Sequence, residues 1–543
     1  MHAMDKLVLF ILLLTLGICC YCNDVITTVA QGKVRGKKII VLDNTVEAYT
    51  GIPYAIPPVG KLRFQKPRRL LKWEGVHDAT QWDIACVQAP VANLTKKVFK
   101  RLPGGEDCLV LNVWSPTKTV DLKPVVVWIH GGGFNYGTSV HDVFNGSVLA
   151  ATQDVVVSSI NYRLGILGFL DADVPEAPGN VGLFDQALAL SWIQENIHAF
   201  GGDARRVTIM GESAGSMSVH AHILSPVSDK LFQRAIMMSG TMYSIDFIDT
   251  THESMIKGNA VARAVGCATD DTDLVSSPVQ VLNCLRFKSA EELCLVSSEV
   301  GSPSIFVFLP TFHNEFLPKR PISAMQRGFF KNVDVLTGVV TEEGTFSAVY
   351  PMAPAEILDE DLNDVDKETL KTAVRRMVGS WLKYEIPEMV EYYEEYAYDD
   401  KQLLRRRNVE RLGDRAFYCP NIQFATHHAA PGNKVFSYIF AHRSRKSVFK
   451  KWMGVPHSLD IEYFFGLPQV YGEQSTEEDK RMAMLTANIV GSFVKTGIPS
   501  LGNETVWPTF SGGHQVAIKL QLDDLQEVHG YRHEQCELWK NYF

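Results

Sequence analysis

The sequence has little of what marks several large classes of protein. It contains no internal repeat, low-complexity tract or linker, so nothing in the composition divides its 543 residues into the three or four domains that length alone would suggest. Lys and Arg (53) are fewer than Asp and Glu (61), giving a net charge of -8, which argues against a nucleic-acid binder. The one compact basic run, Arg405 to Arg407, is flanked by acidic residues and is interpreted as a solvated helix face.

Long apolar runs are also scarce. Lys6 precedes an apolar stretch, Leu7 to Cys20, that is too short to span a bilayer comfortably. We therefore predict that residues 1–22 are a signal peptide cut before Asn23, with an uncleaved anchor as the alternative. No later segment is long and apolar enough for a membrane helix, and the last six residues carry neither a lipid-anchor tail nor an ER-retention signal. Secretion is expected, with residues 23–543 forming a single domain.

Seven of the ten cysteines lie beyond residue 22, and none of the seven has the paired C-x-x-C spacing of a zinc site. Their presence agrees with an oxidising compartment, and their odd number leaves one free thiol or an interchain bridge. Three N-x-S/T sequons predict glycosylated, exposed loops at Asn93, Asn145 and Asn503.

Strand-like and helix-like segments alternate along the chain. Apolar runs at 125–129, 155–157, 234–238, 333–340 and 435–440 predict strands, and residues at helical spacing predict a helix over 183–197. This alternation predicts an α/β fold with a large, mostly parallel sheet and helices on both faces. Residues 27–43 are expected to form a hairpin, 243–330 an irregular insertion over the carboxyl edge of the sheet, 359–430 mostly helix, and 516–520 the last strand.

The most informative stretch surrounds Ser213. Residues 207–210 are a short β-branched apolar run, the pentapeptide Gly211-Glu212-Ser213-Ala214-Gly215 follows, and a helix is expected to end before Pro226. Strand, G-x-S-x-G and helix together are the nucleophile elbow, in which glycines allow a turn sharp enough to expose the serine hydroxyl.

A serine nucleophile needs a base, an acid that orients the base, and donors for the oxyanion. In this kind of elbow the acid and then the histidine follow the serine along the chain. Glu343 follows the strand at 333–340, and His457 lies in a loop after the strand at 435–440. The run Gly131 to Gly133, with the N–H of Ala214, offers unobstructed main-chain donors.

Several titratable residues close to these positions in the sequence are not assigned to the triad. Glu342 is interpreted as a solvated loop carboxylate, and His130 as packing or bonding the glycine loop. Glu212 assists water or substrate, or else has a structural role, and the sequence does not decide between them. Asp460 and Glu462 are interpreted as structural.

The segments HGGGF, EDCL, NYRLGILGFL, APGNVGLFDQ, VTIMGESAG and GVPHSLDIEYFFG together resemble the type-B carboxylesterase/cholinesterase family of α/β-hydrolases over nearly the whole chain. The resemblance implies Ser213 as nucleophile, Glu343 as acid and His457 as base, with oxyanion donors at Gly132, Gly133 and Ala214. It also implies the ion pairs Arg63–Glu106 and Arg163–Asp185 and the disulfides Cys86–Cys108, Cys267–Cys284 and Cys419–Cys536. Cys294 is then the odd thiol.

One departure from the family bears on the substrate. Acetylcholinesterases resemble this chain but carry a tryptophan in the loop between Cys86 and Cys108, where this sequence has none. Phe306 and Phe308 resemble acyl-pocket residues, and Phe346 follows the acid where the family places an aromatic ring.

The resemblance implies a secreted serine carboxylesterase that acts on neutral small-molecule esters through an acyl-enzyme, without a metal or organic cofactor. The alternatives are a non-catalytic binding or adhesion protein on the same fold, a stoichiometric scavenger of esters or organophosphates, and a cholinesterase. If His457 is the base, kcat/KM should fall on acidification through roughly pH 6–7. Acyl and alcohol preference and oligomeric state stay open.

Overall fold

The protein was analysed as a computed structural model. It describes residues 23–81, 83–89, 102–117, 121–300, 306–349, 355–395, 397, 400–502 and 506–543. The predicted signal peptide (1–22) and the sequon asparagines Asn93 and Asn503 lie outside the described residues.

The strands of the described residues are mostly short and buried, as their β-branched composition predicts. In chain order they are β1 (Asp24–Val29), β2 (Gly32–Val41), β3 (Asn44–Pro53), β4 (Val76–Asp78), β5 (Ala85–Cys86), β6 (Gly104–Gly105), β7 (Val110–Pro116), β8 (Lys123–Ile129), β9 (Val156–Ile160), β10 (Asp171–Val174), β11 (Ala177–Pro178), β12 (Gly202–Glu212), β13 (Arg234–Met238), β14 (Asp334–Val340), β15 (Val435–Phe440), β16 (Val516–Leu520) and β17 (Gln526–His529).

Thirteen of these strands form one sheet, in the order β1-β2-β3-β7-β9-β8-β12-β13-β14-β15-β16-β17, with β4 beside β2. The run from β9 through β8, β12, β13, β14 and β15 to β16 is parallel throughout. β1, β2, β3 and β7 pair antiparallel in that order, so the predicted hairpin is part of a three-stranded meander, and β4 runs parallel to β2. The prediction missed β17, which pairs antiparallel with β16 and ends the sheet.

Helices pack on both faces of the sheet. They are α1 (Ser147–Gln153), α2 (Gly165–Phe169), α3 (Val181–Asn196), α4 (Ala214–Leu224), α5 (Thr251–Ala264), α6 (Pro278–Phe287), α7 (Ala290–Val300), α8 (Pro321–Gln326), α9 (Lys367–Gly379), α10 (Pro387–Glu394), α11 (Lys401–Gly413), α12 (Cys419–Ala429), α13 (Ile461–Phe464), α14 (Glu477–Thr496) and α15 (His533–Trp539). The expectation of an irregular insertion at 243–330 was wrong, because α5 to α8 lie there.

Alternation along the central strands explains why the sheet needs two helical layers. In β8, Val125 and Val127 belong to one hydrophobic cluster, whereas Val126 and Trp128 belong to another on the opposite face. Successive side chains of a strand point to opposite faces, so a continuous apolar run is stable only where both faces are covered. Helices α3 and α4 cover the first face, and α1, α13 and α14 cover the second.

Disulfides and ion pairs connect segments that are separate in the sequence. The structure contains the disulfides Cys86–Cys108, Cys267–Cys284 and Cys419–Cys536, and Cys294 is a buried free thiol. Arg163 forms a buried, two-pronged ion pair with Asp185 (2.7 and 2.8 Å), and Arg63 pairs with Glu106 (2.6 Å).

The interpretation of the basic run as a solvated helix face was wrong for Arg405, which lies on α11. Its guanidinium is buried over the ring of Trp452, at 4.0 Å from the centroid. It also donates to the carbonyl groups of Ile357 and Asp359. Such a group covers apolar surface and satisfies main-chain acceptors at once.

No helix among the described residues has both the length and the apolar character needed to cross a bilayer.

Candidate active site

Three candidate residues follow carboxyl ends of parallel strands. Ser213 comes directly after β12, Glu343 lies three residues beyond β14, and His457 lies in the loop that follows β15. Because neighbouring parallel strands end at the same edge, this placement gathers all three at one side of the sheet.

Ser213 lies in a strained turn between β12 and α4. Its φ and ψ are 56° and -124°, a region that residues with a Cβ rarely occupy. Its main-chain N–H donates to the carbonyl of Met238 on β13 (2.9 Å), which anchors the turn to the sheet. The sequence therefore forms the sharp elbow that G-x-S-x-G predicts.

Glycines make this turn possible because other chain segments press against it. A Cβ on Gly215 would lie 2.0 Å from the carbonyl oxygen of Ile129, and one on Gly240 would lie 2.5 Å from the carbonyl oxygen of Ser213. These neighbours are main-chain atoms that cannot move aside. Glycine is therefore required for the close packing of the elbow.

The glycine run after β8 lies against the elbow. A Cβ on Gly131 would be 3.1 Å from the Ser213 Cβ, and Gly132 and Gly133 have positive φ values of 107° and 58°. Within the described residues, the main-chain N–H groups of Gly132 and Gly133 donate to no protein acceptor. Buried N–H groups are normally paired, so free ones beside a serine are suited to receive an oxyanion.

Glu343 and His457 form a buried pair. Glu343 Oε2 lies 2.6 Å from His457 Nδ1, and both side chains are almost fully shielded from solvent. The main-chain N–H of Val340 donates to the other carboxylate oxygen of Glu343 (3.0 Å). The carboxylate is thereby fixed in an orientation that holds the proton on Nδ1 and leaves Nε2 to face the site.

Glu342 ties the loop of Glu343 to the loop of His457. Its Oε2 accepts hydrogen bonds from the main-chain N–H of Val455 (2.8 Å) and from the Thr341 hydroxyl (2.5 Å). Its own N–H donates to the Val455 carbonyl (3.2 Å). The interpretation of Glu342 as a solvated carboxylate was therefore wrong, because its carboxylate bonds the loop that carries His457.

The expected hydrogen bond between Ser213 and His457 is not formed in this structure. Among the described residues, the Ser213 hydroxyl has no hydrogen-bond partner. His457 Nε2 instead lies 3.1 Å from Glu212 Oε1. A carboxylate attracts an imidazole N–H more strongly than a neutral hydroxyl does, so Glu212 competes with its neighbour for the same ring nitrogen.

Three buried carboxyl groups surround His457. Burial raises the pKa of Glu212 to about 7, although His457 and Ser458 oppose the change. Burial also raises the pKa of Asp460 to about 8, with further increases from Glu212 and Glu343. For His457, burial lowers the pKa, but the charges of Glu212 and Glu343 outweigh burial and raise it to about 9. The imidazole is thus held toward its protonated form.

Aromatic rings line the space around the imidazole. Phe346 and Phe417 lie 4.7 and 4.4 Å from the His457 ring, between centroids. Trp381 contacts both Phe346 (4.0 Å) and Phe306 (5.0 Å). The Phe306 ring also reaches the glycine run, because a Cβ on Gly133 would lie 2.0 Å from it.

The remaining predicted residues are placed as follows. Phe308 is buried in the same hydrophobic cluster, and its carbonyl accepts a hydrogen bond from the Asn135 side chain (3.4 Å). His130 stacks on Tyr162 (4.4 Å) and supports the loop, as interpreted. The half-buried Asn145 bonds within its own sequon, accepting from the Ser147 N–H (3.0 Å).

Sequence reasoning missed Trp381, Phe417 and Ser458. Trp381 and Phe417 come from the helical segment around α9 to α12, far from the motifs, and no local pattern marks them. Ser458 directly follows His457 in the sequence, but no role was predicted for its hydroxyl.

Comparison with known proteins adds to this geometry. The sequence profile described as "Carboxylesterase family" matches residues 23–539. The chain belongs to the carboxylesterase family. It is accordingly a serine carboxylic-ester hydrolase with small-molecule ester substrates, and its architecture is the α/β-hydrolase fold.

Two similar proteins cover most of the carboxylesterase-family chain. One, named acetylcholinesterase, is from Bungarus fasciatus and is 36% identical over 524 residues, covering 94% of this chain and 85% of its own length. The other, named cholinesterase, is from Mus musculus and is 36% identical over 555 residues, covering 96% and 87%.

Proposed function

We propose that this carboxylesterase-family protein hydrolyses neutral carboxylic esters through Ser213, His457 and Glu343. The observation that carries the proposal is the buried Glu343–His457 pair (2.6 Å) at the sheet edge where the elbow exposes Ser213. Residues strained at a turn and titratable groups with displaced pKa values cluster at catalytic sites.

In the first half of the proposed reaction, Ser213 Oγ attacks the ester carbonyl carbon. Its proton passes to His457 Nε2, so the imidazole must first turn from Glu212 toward the serine. Glu343 holds the Nδ1 proton and stabilises the imidazolium that forms. The carbonyl oxygen gains negative charge and is received by the N–H groups of Gly132, Gly133 and Ala214, each worth about 2.7–4 kcal/mol of barrier.

Collapse of this tetrahedral intermediate completes acylation. The carbon–oxygen bond to the alcohol breaks, and the alcohol leaves with the proton from His457. In the second half, a water molecule gives its proton to His457 Nε2 and attacks the acyl carbon. The intermediate collapses again, Ser213 recovers its proton, and the carboxylic acid is released.

Neutral substrates are favoured by the surroundings of the site. Phe306, Phe346, Phe417 and Trp381 present apolar rings, which suit an uncharged acyl or alcohol group. The sequence between Cys86 and Cys108 has no tryptophan with which to stack a cation. The names of the two relatives suggest a cholinesterase as the alternative, and the experiment below compares a choline ester with neutral esters for this reason.

The test compares wild type with Ser213→Ala on a p-nitrophenyl ester, with titration by an organophosphate. Ser213→Ala should lower kcat by about 10⁶-fold and abolish the single equivalent of covalent labelling. Ser191→Ala is the matched control, since that hydroxyl only bonds the Ala187 carbonyl on α3 (2.9 Å) and should leave both readouts unchanged. Retained turnover by Ser213→Ala would reject the proposal.

The substrate arm compares acetylthiocholine with thioacetates of similar size and no charge. A higher kcat/KM for the neutral thioesters supports the proposal, and a marked preference for acetylthiocholine would favour a cholinesterase. A labelling burst without steady turnover would indicate a scavenger.

We also propose that the protein acts outside the cell. Three disulfides close chain segments of the described residues, and such bonds persist in oxidising compartments. Expression of the full chain in an animal cell line should deliver a product to the medium whose first residue is Asn23. Retention of all the product in the cytosol would contradict this.

A further inference from the structure

Ser458, the residue after His457, has an unusual main-chain conformation. Its φ is 71°, in the left-handed region that glycine occupies freely and a residue with a Cβ does not. This strained conformation lies directly beside His457. Strained residues next to reacting groups are usually held by a specific contact that depends on the conformation.

That contact is a hydrogen bond across the site. The Ser458 hydroxyl donates to Glu212 Oε1 at 2.5 Å. The same carboxylate oxygen lies 3.1 Å from His457 Nε2. One carboxylate oxygen of Glu212 is therefore shared between the imidazole of His457 and the hydroxyl of Ser458.

We propose that Ser458 is a positioning residue whose hydroxyl fixes the Glu212 carboxylate against His457 Nε2 and so sets how readily the imidazole accepts the Ser213 proton. The inference rests on the proposed function. A hydrogen bond to a carboxylate favours its ionised form, and an ionised carboxylate beside Nε2 favours the imidazolium, which cannot act as a base. The hydroxyl thus restrains the base in the free enzyme.

Other groups face this contact and stay in place in the test. Glu343 bonds Nδ1 from the far side of the ring. Asp460 lies three residues beyond His457, and its Oδ2 accepts a hydrogen bond from the Tyr438 hydroxyl on β15 (3.1 Å). Burial raises the pKa values of both Asp460, to about 8, and Tyr438; neither residue is changed in the variants, so any titration of these groups is common to wild type and variants.

The experiment measures kcat/KM against pH for wild type, Ser458→Ala and Ser458→Gly on a neutral p-nitrophenyl ester. Without the hydroxyl, Glu212 ionises less readily and the imidazolium is less favoured. The acidic midpoint should move down by about half a pH unit or more, with kcat/KM on the acidic limb rising about threefold. Ser458→Ala keeps the backbone strain and Ser458→Gly removes it, so a shift common to both belongs to the hydroxyl.

A second pair of variants tests whether the effect of Ser458 on His457 passes through Glu212. In a Glu212→Gln background the amide cannot ionise, so adding Ser458→Ala should leave the acidic midpoint where it is. An unchanged midpoint in both single variants would overturn the proposal, as would an undiminished shift in the Glu212→Gln background. If Ser458→Ala proves unstable, Ser458→Gly carries the test because it relieves the strain. Activity and Ser213 labelling that persist in these variants would leave the proposed function standing, whereas inactive wild type would reject that function itself.

Discussion

Replacing Glu343 with glutamine tests the acid that the structure pairs with His457. The side chains have nearly the same shape, but the amide carries no charge at the 2.6 Å contact with Nδ1. A hydrogen bond to a charged group is worth about 1.5–3 kcal/mol, and about 1.4 kcal/mol is tenfold in rate. We therefore expect kcat/KM to fall at least about 10- to 150-fold, on the assumption that this stabilisation is expressed in the transition state.

The loss will be larger if the amide NH2 group turns toward Nδ1. The ring is then held in the tautomer that carries its proton on Nε2, where it cannot receive the proton of Ser213. In serine-protease triads a change of this kind lowers kcat by about 10⁴-fold. The main-chain N–H of Val340, which donates to the other oxygen of Glu343, favours keeping the amide oxygen at its own side and so promotes this outcome.

The assay is steady-state hydrolysis of a p-nitrophenyl ester, with the unfolding midpoint as a check on structure. Glu342→Gln is the matched control, since Glu342 bonds the Val455 N–H and not the imidazole. Glu342→Gln should lower the unfolding midpoint, and it should lower kcat/KM by less than Glu343→Gln does. A Glu343→Gln enzyme within threefold of wild type, or a larger loss for Glu342→Gln, would refute the reasoning.

Four further expectations follow. Because only neutral His457 is a base and its pKa is raised to about 9, kcat/KM should fall as pH drops below about 9, and not through the pH 6–7 expected from the sequence; a midpoint at or below pH 6.5 would contradict this. Gly132→Ala would place a Cβ 2.0 Å from the Tyr136 carbonyl oxygen, so kcat should drop about 10²- to 10³-fold in steady-state assays. Burial raises the pKa of Cys294 to about 12, so native protein starting at Asn23 should not react with a thiol reagent at pH 8, whereas one thiol should react after unfolding. Asp185→Ala should cost about 3–5 kcal/mol in urea unfolding, because it leaves the buried Arg163 charge unpaired.

Local chemistry explains which parts could be predicted from sequence. The apolar run of β8 and the glycines around Ser213 each specify their structure within a few residues, so strand, turn and helix were all predictable there. The helices between 243 and 330 were missed although Val281, Leu282 and Leu285 recur at helical spacing on α6. Both α6, with 10 residues, and α8, with 6, are short, and turn residues separate the helices, so no long periodic run marks this segment.

The rest of the site depends on packing between distant segments. Phe417 reaches the imidazole, and Trp381 reaches Phe346 beside it, only because α9 to α12 fold back over the sheet edge. The choice of His457 Nε2 between Ser213 and Glu212 depends on the rotamers of side chains that are far apart in sequence. Neither outcome is encoded in a spacing, so no reading of the chain alone would find it.

The Cys419–Cys536 bond joins cysteines that are 117 positions apart in the sequence, and His457 lies inside the loop it closes, while Ser213 and Glu343 lie outside it. A protease that cuts any one surface turn within that loop would leave two fragments still joined by sulfur. Such a nicked enzyme would migrate as one band until a reductant is added, and it could keep its imidazole in register with the serine. The bond would thus allow the enzyme to stay assembled after a single cleavage in the segment that carries His457.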